Sequence, residues 1–332
     1  MEALMKALFH NSRMSSPSTA TRTALEYFLV DVFTSEPFAG NTLAVVFDTI
    51  GLTTETMQTI AREFNLSETT FIQRRAAEIE AQEGIRVRIF TTQEELPFAG
   101  HPTLGTSSVL KLHAPETVRD NAISLALNVG KVPVVFSELS LDPATDNVGR
   151  ADAVFGEMTQ RDPEFASELD PAEIAPLLGL SLADLDSSHA PQVVSTGNGF
   201  AIVLLRSLDS LARLKVDCNA ATPWLRQRRA RWFYAIAPNG VSTGSSPEKY
   251  RARMQFEGGE DPATGSAAGC AIAYLVARSI VPSGARIHVS QGIDINRPSD
   301  LFLSAKIDGL RVTDVRVAGS TVPVANGRIF LP

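Results

Sequence analysis

The sequence predicts an α+β fold of two lobes, in which mixed or antiparallel sheet wraps a few buried helices. Three observations carry this. Strand-like and helix-like segments alternate irregularly, without the steady βαβ rhythm of a doubly wound parallel sheet. Two stretches, one reaching about Leu112 and the other about Arg278, read as apolar helices rich in small residues, and such helices belong inside a core. Each begins in a similar segment: His101-Pro102-Thr103-Leu104-Gly105-Thr106-Ser107 and Asp261-Pro262-Ala263-Thr264-Gly265-Ser266-Ala267 share Pro, Gly and the following hydroxyl, as two lobes related by an internal repeat would.

Taken in order, the first strand reads from Tyr27 to Phe33, rich in aromatic and β-branched residues. Pro37, Gly40 and Asn41 turn the chain into a second apolar strand, Leu43 to Phe47. With Thr54 as N-cap, Met57, Ile60, Ala61 and Phe64 line one face of a helix that Asn65 ends, because Asn tolerates the left-handed conformation. Thr69 to Gln73 returns as a strand, and Ile85, Val87 and Ile89 alternate with Arg86 and Arg88 in another. From Asp142 to Asp186 the chain turns rich in Asp, Glu and Pro, with a short helix opened by Asp170-Pro171. Later strands are expected at Phe200–Leu205, Trp232–Ala237, Ala285–Ser290 and Leu301–Ile307. The expected organisation is a disordered leader over residues 1–24, an N-terminal lobe over 25–138 completed by a C-terminal strand 315–332, and a C-terminal lobe over 139–314. The leader also has a faint transit-peptide character, with one acidic residue and many Ser and Thr.

Composition excludes several partners. The 332 residues are 44% hydrophobic and 20% charged, and the net charge of −7 disfavours nucleic acid. The run Arg226, Arg228, Arg229 and Arg231, interleaved with Trp224, Leu225 and Trp232, reads as a solvated helix face with its anchors. No apolar run approaches the roughly 20 residues of a membrane span. Cys218 and Cys270 are far apart and fit neither a disulfide framework nor a zinc site, in keeping with a reducing, cytoplasmic setting. The five histidines show no metal-ligand spacing, and neither a phosphate loop nor a nucleophile elbow is present, so no cofactor is expected.

Two constellations remain. A helix N-terminus offers unpaired N–H groups and the positive end of its dipole, and two such ends facing each other make a carboxylate pocket. The first segment supplies Gly100 and His101; the second supplies Asp261, Thr264, Gly265 and Ser266. Alternatively Asp and Thr there are ordinary helix caps. Glu68, between a helix end and a strand in Asn65-Leu66-Ser67-Glu68-Thr69, is either a surface turn residue or, if buried, a carboxyl of raised pKa suited to acid and base work.

Together these motifs resemble the phenazine biosynthesis (PhzF-like) family from about Tyr27 to Pro332. The carriers are Asp31-Val32-Phe33-Thr34 with Pro37-Phe38-Ala39-Gly40-Asn41, then Asn65 to Thr69, Glu95 to Thr103, Glu260 to Ala267, and Gln291-Gly292 with Arg297-Pro298-Ser299. The resemblance implies a diaminopimelate epimerase-like fold, with two pseudo-symmetric lobes each wrapping a central helix, and a homodimer. It implies a cofactor-independent isomerase that shifts a hydrogen or double bond in a small carboxylate-bearing substrate, with Glu68 as the proton-transferring residue. His101 and Asp261 would join it in catalysis, and Gly100, Ser266, Gly265, Thr264 and Asn41 would bind substrate. Cysteine-dependent relatives carry a thiol on each face of the substrate carbon, whereas here Cys270 lies inside a helix and reads as core. Other readings are a non-catalytic small-ligand binder on the same fold and a two-base epimerase using Glu68 and Asp261. Thr42 stands where the family usually has Pro, and Arg253 to Gly259 is more polar than the usual approach to the Asp261 loop.

Overall fold

The computed structural model describes residues 23–137, 152–240 and 248–331. Most of the expected leader and the first part of the acidic stretch lie outside them. In the first half, β1 (Ala24–Val32) and β2 (Asn41–Val46) precede α1 (Thr54–Phe64), β3 (Glu68–Gln73), α2 (Ala77–Glu83), β4 (Ile85–Phe90), β5 (Glu95–Leu96) and α3 (Gly100–His113). Then follow β6 (Ala122–Leu127), β7 (Gly130–Ser137) and β8 (Val154–Thr159). The second half supplies β9 (Glu164–Glu168), α4 (Pro171–Leu177), β10 (Gln192–Ser195), β11 (Gly199–Leu204), α5 (Leu208–Ala212), α6 (Cys218–Gln227), β12 (Trp232–Pro238) and β13 (Lys249–Arg253). It ends with β14 (Gln255–Phe256), β15 (Gly259–Glu260), α7 (Gly265–Ala277), β16 (Ile287–Gln291), β17 (Ser299–Asp308) and β18 (Arg311–Phe330). α1 is capped by Thr53, one residue before the expected Thr54, and Asn65 ends it in the left-handed region at φ 51°.

Strand pairing reveals the two lobes. Along β1, β2, β3, β4, β6, β7 and β8 the senses run antiparallel, parallel, antiparallel, parallel, antiparallel, antiparallel. Along β10, β11, β12, β13, β16, β17 and β18 the same senses recur in the same order. β18, 20 residues long, pairs with β17, then β8, then β1, and so closes the first ring. The counterpart is β8 with its continuation β9: β8 pairs with β7 and β18, and past Pro163 the chain pairs with β10. The first ring therefore extends beyond residue 138 into β8, and the lobes share two crossing strands.

α3 threads the first ring and α7 the second, with every residue from Gly100 to Leu110 and from Gly265 to Val276 buried. Both helices sit in one hydrophobic core that runs through both lobes. Smaller clusters seat α1 on β2 to β4 and α4 to α6 on the outer face of β10 to β12. The arginine run behaves as a surface: Arg228 lies over the Trp224 ring at 3.8 Å and pairs with Glu173 at 3.1 Å.

The internal repeat is real but its register differs from the sequence reading. α3 already contains His101 to Ser107, whereas Asp261 to Thr264 precede α7. Equivalent positions are Gly100 and Gly265, the first residues of the two helices, an offset of 165 rather than 160. At that offset Arg86-x-Arg88, Glu95, Pro97 and Gly100 match Arg251-x-Arg253, Glu260, Pro262 and Gly265. The earlier alignment caught a second Pro-x-x-Gly, Pro102 to Gly105, whose proline sits in the first helical turn, where its missing N–H costs nothing.

The two helix starts touch. A β-carbon on Gly100 would lie 2.7 Å from the carbonyl carbon of Gly265 and 2.7 Å from the nitrogen of Ser266. Both obstacles are backbone, so they cannot rotate away. Gly100→Ala is predicted to force the helix ends apart and lower stability by about 1–3 kcal/mol. Gly156→Ala, whose new carbon would meet only side chains at 3.4 Å or more, is predicted to change stability by less than about 1 kcal/mol; thermal melting of both checks the contrast.

Candidate active site

The candidate site lies where α3 and α7 meet end to end. Neither helix has a side-chain cap: Ala99 cannot supply one, and the Thr264 hydroxyl instead donates to Asp261 Oδ2 at 2.6 Å. The first N–H groups of both helices are thus left for a ligand, at the positive ends of two dipoles.

Asn41, the first residue of β2, ties the lobes together here. Its side-chain nitrogen donates to Asp261 Oδ1 at 2.8 Å and to the Ala263 carbonyl at 3.0 Å, and lies 3.3 Å from His101 Nδ1. The two amide hydrogens are taken up by Asp261 and Ala263, so the approach to Nδ1 is a close contact and not a third full hydrogen bond. Burial pushes the His101 pKa down to about 3, which keeps the ring neutral. Nε2 is buried without an aligned hydrogen bond and lies 3.4 Å from Glu68 Oε2.

Glu68 begins β3, which runs parallel to β2, so Glu68 and Asn41 arrive on adjacent strands. Only 16% of its side chain is exposed, which removes the surface-turn reading. Burial, with Asp261 adding negative charge nearby, raises its pKa to about 8, against a smaller opposing pull from Arg231. Asp261 is also raised by burial, to about 6, because its bonds from Thr264 and Asn41 hold the charged form and offset part of the cost. The two carboxyls thus differ: at neutral pH Glu68 is mostly protonated and Asp261 mostly ionised.

Of the residues named from sequence, Glu68, His101, Asn41, Asp261 and Thr264 join in one contact network, and Gly100, Gly265 and Ser266 form the abutting helix starts. Cys270 is fully buried, its thiol pushed up to about 11, and it contacts the Thr196 hydroxyl at 3.6 Å. Sequence reasoning gave no role to Gln291, Tyr234 or Gln160. Gln291 receives the Thr264 N–H at 3.1 Å, donates to the Asp261 carbonyl at 2.9 Å and is held by Tyr234 at 3.2 Å. Gln160 donates to the Gly265 carbonyl at 2.9 Å. Gln291 was visible beside Gly292; Tyr234 and Gln160 carry no local signal, being placed by strand pairing alone.

Arg297 fixes the loop that delivers Asn41. It donates to the carbonyls of Gly40 at 2.9 Å and Ala39 at 2.7 Å, to Asp31 Oδ1 at 2.7 Å and to the Thr42 hydroxyl at 2.6 Å. The Thr42 hydroxyl thereby supplies Arg297 with a partner that a proline there could not. Among the described residues no group of three His, Cys, Asp or Glu is placed to hold a metal ion, and no helix is long and apolar enough to cross a membrane.

Comparison with known proteins agrees with this architecture. The profile of a family described as phenazine biosynthesis-like protein matches residues 30–327. The trans-2,3-dihydro-3-hydroxyanthranilate isomerase of Pseudomonas aeruginosa is 35% identical over 308 residues, covering 92% of this chain and 99% of that one. The crystal structure of the Bacillus anthracis phenazine biosynthesis protein of the PhzF family superimposes with a TM-score of 0.78 at 25% identity, over 93% of this chain and all of that one. A probable proline racemase from Agrobacterium radiobacter shares the fold, with a TM-score of 0.60 at 8% identity over 93% of each chain. With the family profile, the sequence identity and the fold all in agreement, this chain belongs to the phenazine biosynthesis-like family and is an isomerase of the PhzF type.

Proposed function

We propose that the protein moves a proton between two carbons of a small carboxylate-bearing substrate, with Glu68 as the group that takes and returns it. The observation that carries this is the contrast between two carboxyls beside the paired helix starts, Asp261 buried and Glu68 largely so. Both Asp261 oxygens accept hydrogen bonds, from Asn41 and Thr264, whereas among the described residues the Glu68 carboxyl has one polar contact, the unaligned one with His101. Asp261 is held for orientation; Glu68 can cycle a proton. The substrate carboxylate would sit against the N–H groups that open α3 and α7. Neutral His101, whose Nε2 faces Glu68 at 3.4 Å, would help to orient Glu68 or the substrate. A single base works on one face, which favours a hydrogen shift over inversion of a stereocentre and counts against the two-base epimerase. Trans-2,3-dihydro-3-hydroxyanthranilate, the substrate named for the Pseudomonas relative, is the first candidate. The family likeness further supports a cytoplasmic homodimer as the working form.

Glu68→Gln keeps size and hydrogen bonding but cannot shuttle a proton. Its turnover of that substrate is expected to fall by at least about a thousandfold, with affinity kept within a few fold; wild-type turnover would overturn the reading. Because the base must start ionised, kcat/KM of the wild type should rise with pH and level off above about 8.

The raised pKa also has a stability consequence. In the unfolded chain Glu68 ionises near 4.5, whereas in the folded protein it holds its proton to about 8. The protonated folded state is therefore favoured at low pH, and that advantage is lost as pH climbs from 4.5 through 8. Glu68→Gln should consequently be stabilised relative to wild type by up to a few kcal/mol at pH 9 and by little at pH 4.5. Denaturant melts at the two pH values check this.

A further inference from the structure

We propose that each lobe carries an Arg–Glu clamp that positions the start of its central helix, and that the clamp of the second lobe, Arg253 with Glu260, sets the placement of Asp261. Arg88 and Glu95 occupy the same places relative to Gly100 as Arg253 and Glu260 do relative to Gly265. Both arginines are on equivalent strands, β4 and β13, and both grip the glutamate with two nitrogens. Arg88 reaches Glu95 with Nε at 2.8 Å and Nη2 at 2.5 Å; Arg253 reaches Glu260 with Nε at 3.0 Å and Nη2 at 2.6 Å. Each arginine also reaches the outer helix of its lobe. Arg88 donates to the Thr54 hydroxyl of α1 at 3.0 Å, and Arg253 to the carbonyls of Leu211 and Ala212 of α5 at 3.0 and 3.2 Å.

The two clamps differ where function would make them differ. The second is the more enclosed, with side-chain exposures of 11% and 6% against 16% and 21% for the first. Both glutamates receive one further amide bond, Glu95 from the exposed Asn128 at 3.0 Å and Glu260 from Gln255 at 3.1 Å, and Gln255 is itself tied to the Leu214 carbonyl and the Val216 N–H. Glu260 directly precedes Asp261, whose N–H is held by the Met254 carbonyl at 2.9 Å. Leu96 takes the Asp261 position in the first lobe. The polar run from Arg253 to Gly259, unusual for the family, is thus the scaffold of the Asp261 loop. Arg253 and Glu260 are positioning residues, which touch Asp261 through the chain and not the substrate.

The inference rests on the reading of the cleft as a substrate site, and its test separates the two. Replacing a buried ion pair by apolar residues of similar volume often leaves stability intact. Arg253→Met combined with Glu260→Met is therefore expected to melt close to the wild type while its affinity for anthranilate, a small amino-carboxylate, falls about tenfold or more by calorimetry. The KM for trans-2,3-dihydro-3-hydroxyanthranilate should rise in parallel. Arg88→Met with Glu95→Met should have a smaller effect on both. Should the Arg253 and Glu260 double variant fail to fold, Arg253→Lys keeps the charge without the two-pronged grip and is expected to shift affinity in the same direction. A folded double variant, or a folded Arg253→Lys, with wild-type affinity and KM overturns the clamp proposal. Glu68→Gln assayed alongside reports on the catalytic reading alone, since active Glu68→Gln would sink that reading while anthranilate affinity still judged the clamp.

Discussion

The contact between the starts of α3 and α7 is the constraint on which the rest of the molecule depends. Two helix ends of like polarity repel, and they are held together only because glycine at both positions lets backbone meet backbone. The wedge behind them is Phe33, fully buried and in the left-handed region at φ 64°, packed where β-carbons on Gly265 and Gly319 would stand. A non-glycine residue in that conformation needs its surroundings to hold it; the Asp300 N–H bonds its carbonyl at 2.7 Å. Strands β8 and β18 cross between the rings and lock this junction, so the site is made by both lobes and belongs to neither.

Bringing two positive ends into a buried cleft creates a demand for negative charge. Asp261 meets part of it, ionised and tied on both oxygens, and a substrate carboxylate would meet the rest. Glu68 is placed one strand away, without such ties, and desolvation leaves it protonated near neutrality. Two identical functional groups acquire different proton affinities because one is supplied with donors and the other is not. His101 separates them: Asn41 contacts Nδ1 on one side, and Nε2 faces Glu68 on the other.

Much of this was legible in the sequence. Periodicity placed β1, α1, β3 and β4 to within a few residues, because half-buried strands and one-faced helices leave alternating or 3.6-residue patterns. The central helices were legible for the opposite reason, being built of small and apolar residues with no charged face over their first ten positions. The repeat was seen but misaligned, since Pro102 and Gly105 mimic the true Pro97 and Gly100, and only strand pairing separates a loop proline from one in a first turn. Glu68 stands out in the sequence as a motif residue, but a surface turn and an enclosed carboxyl share the same local pattern, and only the pairing of β2 with β3 separates them. Gln160, Tyr234 and the Arg253–Glu260 pair were hidden because their meaning lies in contacts between segments far apart in the chain.

The central claim is that one enclosed carboxyl, Glu68, carries the proton from carbon to carbon. Substrate bearing deuterium at the carbon that loses its hydrogen tests this most directly. A single-proton base shielded from solvent should return part of the label to the product at the new carbon and on the same face, detected by NMR and mass spectrometry. Complete loss of the label to water, or delivery of hydrogen to the opposite face, would contradict the account.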